Sequence, residues 1–124
     1  MQVPILKQGG FLIASIQSAL TDADLLRLRD DLVGQVGRYR SRGVIVDVTV
    51  LDVMDSFAVR TLSALAQMIR LRGAETVIVG IQPDVAFAMV QLGLTLSDVV
   101  TALDLEEGLA YLWGREKRGE PRGR

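Results

Sequence analysis

Apolar positions along the chain alternate between short runs of β-branched residues and longer stretches with helical spacing. Two apolar runs come first, at Val3–Leu6 and Phe11–Ile16, and Gln8-Gly9-Gly10 separates them. Paired glycines between β-favouring runs are typical of a hairpin turn. We therefore expect the chain to begin with two antiparallel strands.

A first helix is predicted after the hairpin. Thr21 is a favourable N-cap, and Asp24, three residues later, completes a capping-box pattern. Apolar residues then recur every three or four positions, at Leu25, Leu28, Leu32, Val36 and Tyr39. This spacing places them on one helical face that is expected to meet the core, and Arg42-Gly43 is expected to end the helix.

The rest of the chain repeats the unit of a strand followed by a helix. Further strands are predicted at Val44–Val48, Thr76–Ile81 and Val99–Thr101. Further helices are predicted from Asp55-Ser56 to Gly73, over Asp84–Leu92 after Pro83, and from Asp104 through Leu105, Leu109, Leu112 and Trp113. This order predicts an α/β fold: a mixed, mostly parallel β-sheet with an antiparallel edge strand and four helices packed against it.

Composition narrows the chemistry that is open to this chain. Its 124 residues include no cysteine and no histidine, which excludes disulfides, thiolate metal sites and an imidazole base. The net charge of −1 provides no basic field for nucleic acid. No apolar run approaches the ~20 residues of a membrane span, and the first ten residues show no export signal. We expect a cytoplasmic, non-enzymatic protein without metal or other cofactor, which binds neither nucleic acid nor membrane.

The last eleven residues differ from the rest of the sequence. Residues 114–124 contain five basic and two acidic side chains. Helix breakers recur among them, at Gly114, Gly119, Pro121 and Gly123. We therefore expect a single domain over residues 1–113, followed by a basic, flexible C-terminal tail over residues 114–124.

Three carboxylates, those of Asp47, Asp52 and Asp55, precede Ser56 at the predicted start of the second helix. A structural interpretation is that Asp55 and Ser56 cap the helix. A catalytic one is that the acids bind Mg²⁺ or activate Ser56 in a small phosphotransfer or nucleotide-binding enzyme. The acid spacing matches no standard metal motif, and no phosphate-binding glycine motif is present, which disfavours it.

A regulatory interpretation of the same segment is that Ser56 receives a phosphate. A helix N-terminus tolerates phosphate well, because free backbone N–H groups and the helix dipole both face it. The polar face of the second helix then continues from the serine, with Arg60, Ser63, Gln67 and Arg70. Phe57 is expected to contact either the core or a docked partner. These residues alone leave the cap and the switch open, since one residue can serve as both.

Four stretches of the sequence resemble the STAS domain of bacterial anti-sigma-factor antagonists, and within that family the RsbS-type scaffold proteins of the stressosome. They are Pro4–Lys7 with Leu12–Gln17, Asp52–Phe57, Val79–Pro83 and Ala102–Leu109. Together they cover nearly the whole chain before the basic tail. The resemblance implies the STAS-domain fold and a protein without catalytic activity.

The resemblance also implies partners and a site. RsbS-type proteins form homodimers or larger assemblies with RsbR-type STAS co-scaffold proteins and sequester an RsbT-type serine/threonine kinase. The kinase phosphorylates the family's serine, which falls on Ser56, and is then released; an RsbX-type phosphatase resets the switch. The family's loop acids fall on Asp52 and Asp55. Arg60, Ser63 and Gln67 are expected to extend the partner-binding surface. The alternative within the family is an anti-sigma-factor antagonist that binds an anti-sigma-factor kinase.

Overall fold

Strands and helices follow one another in the order that the hydrophobic pattern predicts. The computed structural model describes residues 2–96 and 99–119. The described elements are β1 (Ile5–Gln8), β2 (Phe11–Ser15), α1 (Asp22–Tyr39), β3 (Gly43–Asp47), α2 (Ser56–Leu71), β4 (Glu75–Val79), α3 (Pro83–Gln91), β5 (Val100–Ala102) and α4 (Leu105–Gly119).

The five strands form one sheet whose spatial order, β1-β2-β3-β4-β5, is also their order along the chain. β1 pairs with β2 in antiparallel fashion, and every other neighbouring pair is parallel. Gln8 faces Phe11 across the hairpin, so Gly9 and Gly10 form a two-residue turn. Gly9 has φ +59°, a conformation that favours glycine. The predicted mixed sheet and its hairpin are confirmed.

Helices cover both faces of the sheet. Successive strand residues point to opposite faces, so β2, β3 and β4 each contribute to two apolar clusters. The larger cluster joins β2, β3 and β4 to α1, α2 and α3, through residues such as Leu12, Val44, Ile78, Leu32, Leu65 and Val85. The smaller cluster joins the other face to α4, through Phe11, Ile13, Ile45, Val77, Val79 and Leu112. Burial on both faces explains why the central strands are continuous apolar runs.

α1 begins where the sequence predicts and ends earlier. Thr21 Oγ1 accepts a hydrogen bond from the Asp24 N–H, and the Asp24 carboxylate accepts one from the Thr21 N–H, both at 3.1 Å. The helix ends at Tyr39 because Arg40 adopts a left-handed conformation with φ 51°. Gly43 already belongs to β3, so the prediction that Arg42-Gly43 ends the helix is wrong.

Tyr39 departs from the predicted core face of α1. Its side chain is 42% exposed, whereas Leu25, Leu28, Leu32 and Val36 are buried as expected. The Lys7 ammonium lies 5.9 Å from the centre of the Tyr39 ring, a cation–π distance. Tyr39 thus contacts Lys7 of β1 at the surface rather than entering the core.

α4 is longer than predicted. It begins as expected, because the Asp104 carboxylate accepts a hydrogen bond from the Glu107 N–H at 2.9 Å. The helix continues through Gly114 to Gly119, so Gly114 does not interrupt it. A single glycine in a helix interior costs only about 1 kcal/mol relative to alanine, which favourable neighbours offset. The expected boundary between residues 113 and 114 therefore falls inside α4, and residues 120–124 of the predicted tail lie outside the described residues.

No helix in residues 2–96 and 99–119 is both long enough and apolar enough to cross a bilayer.

Trp113, at the end of the predicted apolar series of α4, is 53% exposed and meets the Phe11 ring edge-on, with ring centres 5.2 Å apart. It covers the end of the smaller core from outside.

Candidate functional site

The segment between β3 and α2, residues 48–55, lies at the carboxyl edge of the parallel strands. We call it the switch loop. Two backbone hydrogen bonds secure its entry, from Val48 N to Val79 O at 3.0 Å and from Ile16 N to Asp47 O at 3.1 Å. Ligands and partners of open α/β sheets characteristically meet this edge. The sheet therefore presents the switch loop as a defined surface feature.

Asp47 holds the start of the switch loop. Its Oδ1 accepts hydrogen bonds from the Thr49 N–H at 2.9 Å and from the Thr49 hydroxyl at 2.6 Å. Aspartate commonly forms such a local turn with the backbone two residues later. Among the described residues, no group of three or more acidic side chains is placed to hold a metal ion. Asp47, Asp52 and Asp55 therefore do not form the metal site of the enzymatic interpretation.

A neighbouring connection supports the switch loop from the side of β4. The Gln82 side-chain amide donates a hydrogen bond to the Thr49 carbonyl at 2.7 Å. Gly80, with φ +82°, ends β4 and lies against Thr49, where a Cβ atom would come within 3.1 Å of the Thr49 Cα. A glycine is required here both for the backbone conformation and for the close approach. The two loops are therefore packed together as one unit.

Thr49 and Gln82 were not predicted as part of the site. The signal available in the sequence was the Gly80-Ile81-Gln82-Pro83 stretch, which follows a predicted parallel strand. The carboxyl ends of parallel strands share one edge, so this stretch had to lie beside the switch loop. That Gln82 is the residue of this stretch that contacts Thr49 depends on the length and direction of its side chain, and the positions of residues in the sequence do not reveal either.

Asp55 provides the N-cap of α2 and leaves Ser56 free of that role. Asp55 Oδ1 accepts a hydrogen bond from the Ala58 N–H at 2.8 Å. Ser56 is the first residue of the helix and is partly buried, and its hydroxyl forms no hydrogen bond within the described residues. The N–H groups of Ser56 and Phe57 have no acceptor one turn earlier in the helix. Together with the helix dipole, they favour a negative charge at this position.

The different roles of the two loop acids give a prediction for stability. Asp55→Ala is expected to lower the free energy of unfolding by about 1 kcal/mol, because the helix loses its N-cap. Asp52 is exposed and forms no ion pair or hydrogen bond within the described part of the chain. Asp52→Ala should therefore change the free energy of unfolding by less than about 0.5 kcal/mol. Urea denaturation of both variants checks this, and equal losses would contradict the assignment of the cap.

Apolar side chains accompany these acids at the surface. Val53 is 74% exposed in the middle of the switch loop, and Val50 is also exposed. Met54 is buried, and Phe57 is partly buried against the larger core. Phe57 therefore serves the core at least in part. Val53, which the sequence pattern did not single out, is the more accessible apolar contact beside Ser56.

The polar face of α2 continues from Ser56 along the surface. Arg60 and Gln67 are exposed, and they lie about 6 Å and about 16 Å from Ser56 along the helix axis. Ser63 is partly buried, and its hydroxyl donates a hydrogen bond to the Thr95 carbonyl at 3.4 Å in the connection between α3 and β5. Ser63 thus lies at the border of this face rather than at its centre.

Known proteins with similar sequences belong to one domain family. Residues 2–108 match the STAS domain family. The chain is 32% identical over 83 residues to the RsbT co-antagonist protein RsbRA of Bacillus subtilis, which covers 67% of this chain. The match spans only 30% of the length of RsbRA. A second co-antagonist of that organism, RsbRD, is 27% identical over 95 residues, or 34% of its length.

Solved structures show the same relationship over nearly the whole chain. An RsbS variant of Moorella thermoacetica with a serine-to-glutamate substitution is 30% identical, with a TM-score of 0.80, and covers 93% of this chain and 97% of its own. A chain from a structure of the stressosome, described as a signal integration and transduction hub, is 31% identical, with a TM-score of 0.78. The match covers 92% of this chain and 99% of that one. The anti-sigma factor antagonist SpoIIAA, at 15% identity and a TM-score of 0.72, shares the fold.

These matches confirm the resemblance that the sequence stretches indicate. The five-stranded mixed sheet with its four helices is the STAS fold. The two solved structures at 30% and 31% identity are of an RsbS protein and of the stressosome, and RsbRA is an RsbT co-antagonist by name. The chain therefore belongs to the STAS domain family, alongside the RsbS and RsbR proteins of the stressosome.

Proposed function

We propose that this chain is a non-catalytic, phospho-switched scaffold of a bacterial stressosome. In this function it sequesters a serine/threonine switch kinase of the RsbT type and releases the kinase when Ser56 is phosphorylated. The similarity to RsbS and to the co-antagonist RsbRA supports a stressosome or antagonist role. The chain would act in the cytoplasm, within a homodimer or larger assembly that includes an RsbR-type co-scaffold, and an RsbX-type phosphatase would reset it. The domain predicted over residues 1–113, with α4 continuing to Gly119, would perform this function, and the basic side chains of residues 114–124 would follow it.

The observation that carries this proposal is that Asp55, and not Ser56, caps the start of α2. Asp55 caps the helix, so the Ser56 hydroxyl can accept a phosphoryl group without loss of the cap. The kinase would transfer the γ-phosphoryl group of ATP to Ser56 Oγ, with ADP as the leaving group. The phosphate then adds about −1.5 to −2 charges beside two exposed carboxylates. Such a change alters the charge of the surface around Ser56, where a partner would dock, and leaves the N-cap of α2 in place.

The docking surface itself has a mixed character that suits a protein partner. It combines the carboxylates of Asp52 and Asp55 with the exposed Val53 and with the polar side chains of Arg60 and Gln67. An apolar contact surrounded by charged groups is the usual composition of a non-obligate interface. The charged rim makes binding sensitive to one added phosphate.

Intact-mass spectrometry after incubation with the host's switch kinase and ATP tests the proposal. We expect the wild-type chain to gain the mass of one phosphoryl group and Ser56→Ala to gain none. Thr101→Ala is the control, because Thr101 offers an exposed hydroxyl on the edge strand β5, outside the partner-binding surface, and its loss is expected to leave phosphorylation intact. Phosphate on the Ser56→Ala chain, or none on the wild type, would contradict the proposal.

An anti-sigma-factor antagonist is the second candidate, and the shared fold with SpoIIAA favours it. Pull-down with the full chain from a lysate of its host separates the two. Recovery of RsbR-like chains with a kinase supports the stressosome function. Recovery of an anti-sigma factor without a large assembly supports the alternative. Turnover of nucleotide by the purified chain, lost in Asp52→Asn, would instead support an enzyme.

A further inference from the structure

The outer face of α3 is apolar, although it is exposed. Pro83, Ala86, Phe87 and Val90 are all exposed, and their spacing of three or four positions places them on one face of the helix. The side chain of Phe87 is 66% exposed and that of Val90 is 79% exposed. We call these four residues the α3 patch.

The α3 patch lacks the charges that the other helices expose. Asp84 is the one charged residue of α3, and it lies in the first turn, where the helix dipole favours an acid. By contrast, the other helices expose charged side chains such as Arg27 in α1, Arg60 in α2 and Glu106 in α4. Single exposed apolar residues are normal, whereas a contiguous group of them marks an interaction site.

The position of α3 in the fold leaves the α3 patch accessible. α1, α2 and α3 each connect consecutive parallel strands and pack on the same face of the sheet, so they follow the order of the strands. α3 is therefore the last helix of this layer, next to the β5 edge of the sheet. Val85 and Met89 hold its inner face in the larger core. Among the described helices, none covers the flank of α3 on the side of β5.

Two kinds of occupant fit the α3 patch poorly. Residues 120–124 follow α4, which packs on the opposite face of the sheet, and their sequence contains no apolar side chain larger than proline. Helices that lie on a lipid surface are rich in Lys and Arg on their polar face, and α3 contains neither. The α3 patch therefore fits a protein surface that is itself apolar and uncharged.

We propose that the α3 patch binds the α3 patch of a second copy of this chain about a two-fold axis. Such a contact would form the homodimer of the proposed function, on which this assignment rests. Phe87 is the central residue of Pro83–Gln91, so an axis beside it places Phe87 against the same residue of the second copy. Val90 then meets Pro83 of the second copy. An uncharged apolar surface is complementary to itself, whereas two copies of a charged surface repel each other.

The area of the α3 patch is sufficient for a small interface. Given the exposure of Phe87 and Val90, the patch presents roughly 300 Å² of apolar surface. Two copies would then bury roughly 600 Å² of apolar surface, and specific interfaces at the lower limit of size bury about 1,200 Å² in total, of which just over half is apolar. We therefore expect a dimer that forms at micromolar concentration.

Sedimentation velocity of the purified full chain tests this contact without any other protein. We expect a monomer–dimer equilibrium with a Kd below about 100 μM. Phe87→Ser should weaken self-association at least about thirtyfold, because truncation of a central aromatic anchor typically has that effect. Leu71→Ser is the matched control, since Leu71 is 89% exposed at the end of α2, outside the α3 patch. Its Kd should stay within about twofold of the wild-type value.

Cross-linking tests the geometry of the same contact. The chain contains no cysteine, so one introduced thiol is unique in each copy. Ala86→Cys places this thiol beside Phe87, and a short bismaleimide should join two such chains. Leu71→Cys should give no cross-linked dimer, and adding Phe87→Ser to Ala86→Cys should abolish the cross-link.

Three results would overturn the proposal. They are a wild-type chain that stays monomeric at about millimolar concentration, a dimer that Phe87→Ser leaves unchanged, and a monomeric chain in which Phe87→Ser instead weakens binding of the kinase. Phosphorylation of Ser56 in the Phe87→Ser chain should remain intact by intact-mass spectrometry. Failure of this contact and failure of the proposed phospho-switch are therefore distinguishable.

Discussion

Ser56→Asp is expected to weaken binding of the switch kinase by about two orders of magnitude. The new carboxylate lies beside Asp52 and Asp55, and a loss of about 3 kcal/mol in the free energy of binding corresponds to that factor. Ser56→Ala should assemble normally and bind the kinase as tightly as the wild-type chain, yet hold it under stress. The measurement is the Kd of the purified kinase for each variant, co-assembled with its RsbR-type partner.

Ser56→Asn provides the control for shape, because asparagine has the size of aspartate without its charge. We expect its Kd to stay within about threefold of the wild-type value. The difference between the asparagine and aspartate variants then measures the effect of charge alone. Equal kinase binding by the alanine, asparagine and aspartate variants would refute the switch at this position.

Gly80→Ala is expected to destabilise the fold by about 2–4 kcal/mol. The left-handed backbone costs an alanine about 1–2 kcal/mol, and the new methyl group must also displace Thr49. Gly73→Ala is the matched control, since Gly73 has φ +91° with no atom near its hypothetical Cβ. Gly73→Ala should cost only the backbone term. Urea denaturation of the two variants gives both values.

A double substitution separates the contact from the backbone. Adding Thr49→Ala to Gly80→Ala removes the threonine Oγ1 that the new methyl group meets. We expect the combined loss to be smaller than the sum of the two single losses by about 1 kcal/mol. Additive losses would show that Thr49 and Gly80 do not support each other, and that the switch loop is not packed against the β4–α3 connection.

Features that depend on neighbours in sequence were predictable. The capping box of Thr21 and Asp24, the Gly9-Gly10 turn and Pro83 at the start of α3 each involve residues within four positions of one another. Periodic apolar residues likewise identified the buried face of α1, where Leu25, Leu28, Leu32 and Val36 are all buried. In each case the physical cause is local, so the pattern contains it.

Features that depend on distant residues were not predictable from spacing. The Gln82 amide reaches Thr49 across 33 positions, and Tyr111 reaches Glu75 across 36. One cleft is likewise lined by Arg40, Arg72 and Arg115, which come from separate parts of the chain that only the fold brings together. Tyr39 is exposed although the spacing of apolar residues predicts it to be buried, because α1 ends at its position. The spacing within a helix gives no information on where the neighbouring sheet ends.

The identical order of the strands in space and in sequence affects how the chain can assemble. Each new strand joins the exposed edge of the sheet that its predecessors have formed, so no strand is inserted between two that are already paired. Sheet pairing therefore links only strands that are consecutive along the chain, and such local pairings cost little loop-closure entropy and favour fast folding. Because α4 is the last of the described elements, the smaller core has no cover on its face of the sheet until that helix packs.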